Sequence, residues 1–272
     1  MRDSGPYRGA RLCALLALIA STTPAHAAAP GPQTVIRDFC EADAMGARLP
    51  GGRLREITGL LSWPFDPAWD RALLITGYRI GPTIPLDDGQ LSVDVDYAVV
   101  GEATALGFDP GSHMERVTFV LDTPDGTHWR IVSPMVPPHV FGHRVGTEEL
   151  VAWLKEGRGA FVPSSLLVQQ LLQAAGWDVP YIPTTDLLLS SSYGAVESPR
   201  KGDLVVYVQN EVPYHVGVLE GADRVISSTL NGGIVRTTAN AFLGEVRYLR
   251  LIAPPATQTE GAAKAPAPDE RP

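Results

Sequence analysis

A hydroxyl and an imidazole are the side chains of this sequence that first invite a chemical reading. Ser164 opens an apolar helical run, P-S-S-L-L-V-Q-Q-L-L-Q-A-A-G at 163–176, and His215 lies in a strand-like stretch, Y-H-V-G-V-L at 214–219. A Ser–His pair at hydrogen-bond distance can carry out acyl transfer, the imidazole removing the hydroxyl proton as the oxygen attacks. A helix N-terminus can ionise a thiol near neutral pH but not a hydroxyl, so a serine there depends on its base. Both residues also have structural readings. Serine is among the best helix caps, and a strand histidine can simply be satisfied by a neighbour.

Other constellations are thinner. His139 and His143 have the i,i+4 spacing of two metal ligands on a helix, but Pro137, Pro138 and Gly142 argue against a helix there, and no metal is expected. Asp94 and Asp96 share a strand face and read as a solvated polar edge. Cys40 lies on the apolar side of a helical pattern and reads as a buried structural thiol. Trp63, Trp69, Trp129, Trp153 and Trp177 are scattered and read as core or cleft-wall residues. The sequence contains no G-x-S-x-G elbow, S-x-x-K, H-E-x-x-H or phosphate loop. No cofactor is expected.

The ends set the compartment. Arg2, Arg8 and Arg11 precede a short apolar core, Leu12–Ala20, and Ala25-His26-Ala27 supplies the small residues of a cleavage site, so residues 1–27 read as a signal peptide. The apolar core is far short of the roughly 20 residues of a spanning helix. An exported protein, periplasmic or secreted, is expected. Its removal shifts the formal charge from −8 to −10. Such acidity, without a Lys/Arg cluster, argues against nucleic acid and anionic lipid as partners. Only Cys40 would remain, so no internal disulfide can form. Residues 253–272, rich in Ala and Pro, read as a disordered tail.

The elements that would position these residues fall into two sets. A helix is expected within 33–50, ended by Pro50-Gly51-Gly52, and a second over Leu54–Leu61 before the Trp63-Pro64-Phe65-Asp66-Pro67 break. Alternation then predicts strands at Leu73–Ile80, around Ser92–Val99, at Val117–Asp122 and at His128–Val132, the last two joined by a Thr123-Pro124-Asp125-Gly126 hairpin. Pro134–Gly146, with three prolines and two glycines, reads as a linker. Thr147 is placed to cap a helix over Glu148–Glu156. A helix from Pro163 or Ser164 to Gly176 follows, then strands at Asp203–Val208, His215–Glu220, Val225–Ser228, Ile234–Arg236 and Arg247–Ile252. The fold class is α+β.

The stretches P-S-S-L-L-V, R-K-G-D-L-V-V-Y (200–207), Y-H-V-G-V-L and R-V-I-S-S-T-L-N-G-G-I-V (224–235) resemble, in order and spacing, the NlpC/P60 family of papain-like cell-wall peptidases, over residues 150–252. The family pattern runs D-C-S-G-L-V, P-G-D-L-V-F-F, H-V-G-I-Y and M-I-H-A. The resemblance implies that the family's cysteine falls on Ser164, its histidine on His215 and its third polar residue on Ser227. Pro163 stands for the family's Asp and Leu166 for its Gly. Helices followed by a bent sheet over 33–136 more weakly resemble an NTF2-like unit. The expectation is therefore an NTF2-like unit at 33–136, then a degenerate NlpC/P60-like domain at 147–252. The expected role is non-catalytic binding of a cell-wall peptide or a protein partner at the cell envelope. The alternatives are a peptidoglycan peptidase or amidase running on Ser164 and His215, and a scaffold unrelated to cell-wall peptides.

Overall fold

The computed structural model describes residues 30–252; the expected signal peptide and tail lie outside them. The fold is α+β, with two antiparallel-dominated sheets. Helix α1 (Pro32–Ala44) and the short α2 (Arg55–Thr58) precede strands β1 (Arg71–Pro85), β2 (Leu91–Thr104), β3 (Gly107–Asp122), β4 (Arg130–Ser133) and β5 (His139–Phe141). These form a five-stranded sheet in the order β4-β3-β2-β1-β5. Helices α3 (Thr147–Glu156) and α4 (Ser164–Ala174) lead to β6 (Tyr193–Ala195), β7 (Leu204–Gln209), β8 (Val212–Leu219), β9 (Arg224–Thr229), β10 (Gly233–Thr238) and β11 (Glu245–Leu251). The second sheet runs β10-β9-β8-β7-β11-β6.

The long first-sheet strands curl because their ladders are interrupted. β1 shifts register at three places along β2, and β2 shifts once against β3 between Val99 and Gly101. Each bulge raises local twist. Gly101 is required there, since a Cβ would lie 2.2 Å from the Phe108 ring. Into the concave side goes α1, whose buried stripe Val35, Ile36, Phe39, Cys40 and Asp43 has helical spacing. Phe39 meets Phe119 edge to face at 5.4 Å, and Val93, Val95, Leu121 and Ile131 complete the core. Burying a side chain of this kind is worth about 1.5–3 kcal/mol. Cys40 is fully buried, 3.4 Å from the Tyr97 hydroxyl, and burial pushes its thiol up to about 12.

In the second sheet β7 is an interior strand, and its sequence L-V-V-Y-V is apolar on both faces because both are covered. Leu204, Val206 and Val208 face Val168 and Leu172 of α4; Val205 and Tyr207 pack with Trp69, Met135 and Phe242.

Several expectations need correction. The supposed linker is partly built into the first sheet: Met135 to Val140 are buried, and β5 pairs in parallel with β1. Pro137, Pro138 and Gly142 argued against a helix aligning His139 and His143, and none forms: His139 is a buried strand residue and His143 an exposed turn residue. Thr147 is the first residue of α3 rather than its cap; Gly146 occupies that position and no side chain caps it. Ser164 takes the first position of α4, where the helix was expected to begin, and Pro163 is at the cap. Asp94 and Asp96 are ion-paired across strands: Asp96 binds Arg79 at 2.7 Å and Arg116 at 2.6 Å. Trp177 is exposed rather than core. Strand β6 and a 3-10 helix at Thr184–Leu189 were not expected from the sequence.

Candidate functional site

Ser164 and His215 meet. The N-terminus of α4 presents the serine and the middle of β8 presents the imidazole, with Oγ 2.8 Å from Nδ1. Gly217, two residues along β8, lets β9 come close: a Cβ there would fall 2.5 Å from Val225 Cγ1. Ser227, on β9 opposite Gly217, does not join the pair. Neither its hydroxyl nor His215 Nε2 has a hydrogen-bond partner among the described residues. The His215 ring is enclosed by aromatic groups instead, with Phe242 at 4.1 Å and Tyr207 at 5.4 Å between centroids. Burial without a charged neighbour holds the imidazole down to about 3, so it is neutral at neutral pH.

The chain itself covers this site. Residues 64–70, a Pro-broken stretch between α2 and β1, lie as an extended strap across the end of α4 and along β9. Ala68 N–H donates to Ser228 O at 3.1 Å and Leu230 N–H to Asp66 O at 2.8 Å, with Pro67 bridging Thr229 in antiparallel fashion. Asn231 Nδ2 donates to Pro64 O at 2.7 Å, and Thr184 N–H to Asp70 Oδ2 at 2.7 Å. Apolar contacts flank the strap: Trp69 packs on Tyr214 at 5.8 Å and Phe65 near Phe242 at 6.1 Å. The Ala68 carbonyl points at Ser164 and accepts twice, from its N–H at 2.9 Å and from its hydroxyl at 2.8 Å. Ser164, His215 and Ser227 are each no more than 1% exposed.

That carbonyl fixes the protons. Serine has one hydroxyl hydrogen, and a carbonyl can only accept. With the hydroxyl donating to Ala68, the short contact to His215 requires Nδ1–H to donate to Ser164 Oγ. The imidazole then presents a hydrogen, not a lone pair, to the serine, which is the wrong tautomer for a general base. Its Nε2, bare in this tautomer, has no hydrogen-bond partner among the described residues. The Ser164 N–H, a donor that could steady a developing oxyanion, is also engaged by the strap.

A second buried polar group lies where no motif pointed. Arg48, 2% exposed, forms a bidentate pair with Asp43 at 2.7 and 2.9 Å, donates to Val136 O and Pro137 O, and stands 3.8 Å from Asp66 at the base of the strap. His139 joins through its backbone N–H to Asp43, stacks on Tyr97 at 3.9 Å and meets Glu115 through Nε2 at 2.9 Å. Burial pushes Asp66 up to about 6 despite the opposing Arg48 charge and the Trp69 indole hydrogen bond. The only sequence signal for this group was polar residues, Asp43 and His139, at positions whose neighbours are all apolar. Neither a protein-family model nor a curated protein matches this chain.

Proposed function

We propose that this chain is an exported, non-hydrolytic protein of the cell envelope. On this reading its C-terminal half is an NlpC/P60-like domain, degenerate at the catalytic positions, whose cleft grips residues 64–70 of the same chain. The N-terminal half, read as NTF2-like, is thereby locked to it, and ligand or partner is met outside the cleft. The observation that carries the proposal is the Ala68 carbonyl, which takes the N–H and hydroxyl of Ser164 and leaves His215 without a lone pair facing the serine. The missing charged orienter at Ser227 and the apolar enclosure of His215 agree with it.

The 2.8 Å Ser164–His215 contact favours a second reading, a serine-based peptidoglycan peptidase or amidase that works once the strap leaves. One experiment separates them. Peptidoglycan fragments are incubated with the mature protein, with Ser164→Ala, and with Ala68→Pro, which removes the hydrogen bond to Ser228 and loosens the strap. Mass spectrometry is expected to find no new fragments with any of the three. Fragments produced by the unmodified or the Ala68→Pro protein, and absent with Ser164→Ala, establish the hydrolase instead.

A further inference from the structure

Between the two sheets, lined in part by Trp69 of the strap, lies a cleft of about 340 Å³. One wall carries Trp69 and Tyr214; the other carries Arg71 and Glu115, and Gln209 and Asn210 of the β7–β8 hairpin close one end. Its charged groups are held, not merely present. Glu115 is anchored through Oε2 by His139, an imidazole with no exposed surface that is itself fixed by stacking on Tyr97. Arg71 is steadied by Glu102 at 3.5 Å and keeps about a quarter of its side chain exposed. The turn at the cleft end places Asn210 and Glu211 both at positive φ, 50° and 65°, a conformation that non-glycine residues adopt at a cost.

We propose that this cleft binds a small zwitterion, a free amino acid or dipeptide, with its ammonium on Glu115 and its carboxylate on Arg71. A guanidinium offers a carboxylate two parallel N–H donors, and a carboxylate locked by a buried partner accepts an ammonium without losing side-chain freedom. Burial works to raise the Glu115 carboxyl, but the His139 hydrogen bond and the His139 and Arg71 charges outweigh it and keep the group below its ordinary range. It is therefore anionic at neutral pH. The other guanidinium on the rim, Arg116, is already committed to Asp96. The volume admits one amino acid or a dipeptide, and the aromatic wall would cover its apolar part. The assignment does not depend on how the Ser164 cleft is used.

Titration calorimetry on the full mature chain tests it with glycine, alanine, glutamate, lysine and Ala-Ala, each beside its N-acetylated and C-amidated form. Some free zwitterions are expected to bind while their capped forms bind at least about tenfold more weakly, the scale of one charge-assisted hydrogen bond. Glu115→Gln should weaken binding similarly. Val212→Trp, at an exposed rim position, should block the cleft without touching the His139 contact. Retained melting temperatures show that these variants fold. Absence of binding by every free form, equal binding of capped and free forms, or full affinity in both variants overturns the proposal.

Discussion

Among the described residues two histidines are fully buried, and they live in opposite surroundings. His215 lies in the stretch that looks catalytic, yet it faces aromatic rings and one serine hydroxyl engaged elsewhere. His139 lies in a stretch without a motif, yet it sits between Asp43 and Glu115 beside a buried Arg48. The first environment suppresses charge; the second is organised around it. A motif identifies residue types in order, whereas chemical competence depends on which neighbours stabilise charge or relay a proton. Here the two do not coincide.

The largest effect should come from the charged side of this comparison. Arg48→Met would leave the Asp43 and Asp66 carboxylates buried without their cation, a loss of about 3–5 kcal/mol. Urea unfolding of the mature chain should show it as a large fall in midpoint. Because Asp66 belongs to the strap, the same change should also loosen residues 64–70, seen as faster amide exchange at Ala68. A loss under about 1 kcal/mol would mean that the cluster is no more important than a surface pair.

The next effect sets the two environments against each other through pH. His215 has a folded pKa near 3 against an ordinary 6.5, so only the unfolded chain takes up its proton between those values, and stability falls as pH drops through that window. Asp66 has a folded pKa near 6 against 3.8, so there the folded chain keeps the proton, and stability rises as pH drops. Between about pH 4 and 6 the two slopes oppose each other, each up to about 1.4 kcal/mol per pH unit. Relative to the unmodified chain, Asp66→Asn should therefore steepen the loss of stability on acidification, and His215→Leu should reverse it. Parallel pH profiles for all three proteins would remove both assignments.

How much of this was legible follows from the range of each interaction. The Thr123–Gly126 turn forms as its residues dictate, Gly126 taking a φ of 71° and donating its N–H to Thr123 O. The alternation of Ser92–Val99 gives β2, and the apolar run Leu204–Val208 gives the interior β7, because those patterns are local. Ser164 and His215 could be paired from family resemblance, and they do meet. The strap could not be read. Trp63–Asp70 has no period, and its partners Ser164, Ser228 and Asn231 lie 96 to 167 residues away in sequence. Pro134–Gly146 read as a linker, yet two carbonyls within it, those of Val136 and Pro137, are what Arg48 binds. Arg48 and Asp43, five residues apart, form no helical face pair; they meet only because the chain turns after Ala44.

The smallest effect tests one local misreading. Thr147 has the residue type and place of a helix cap, and substitution of a working cap by Ala typically costs about 1 kcal/mol. In the structure Gly146 holds the cap position with extended φ and ψ, and Thr147 begins α3 with no side-chain hydrogen bond to the freed N–H groups. Thr147→Ala should therefore shift stability by less than about 0.5 kcal/mol, and Ala's higher helix propensity pulls toward a small gain. The residue whose change matters is the neighbour: Gly146→Ser supplies the missing acceptor and should stabilise α3 by a few tenths of a kcal/mol. If Thr147→Ala costs a full cap while Gly146→Ser does nothing, α3 begins one residue later in solution, with Thr147 as the cap its sequence implied.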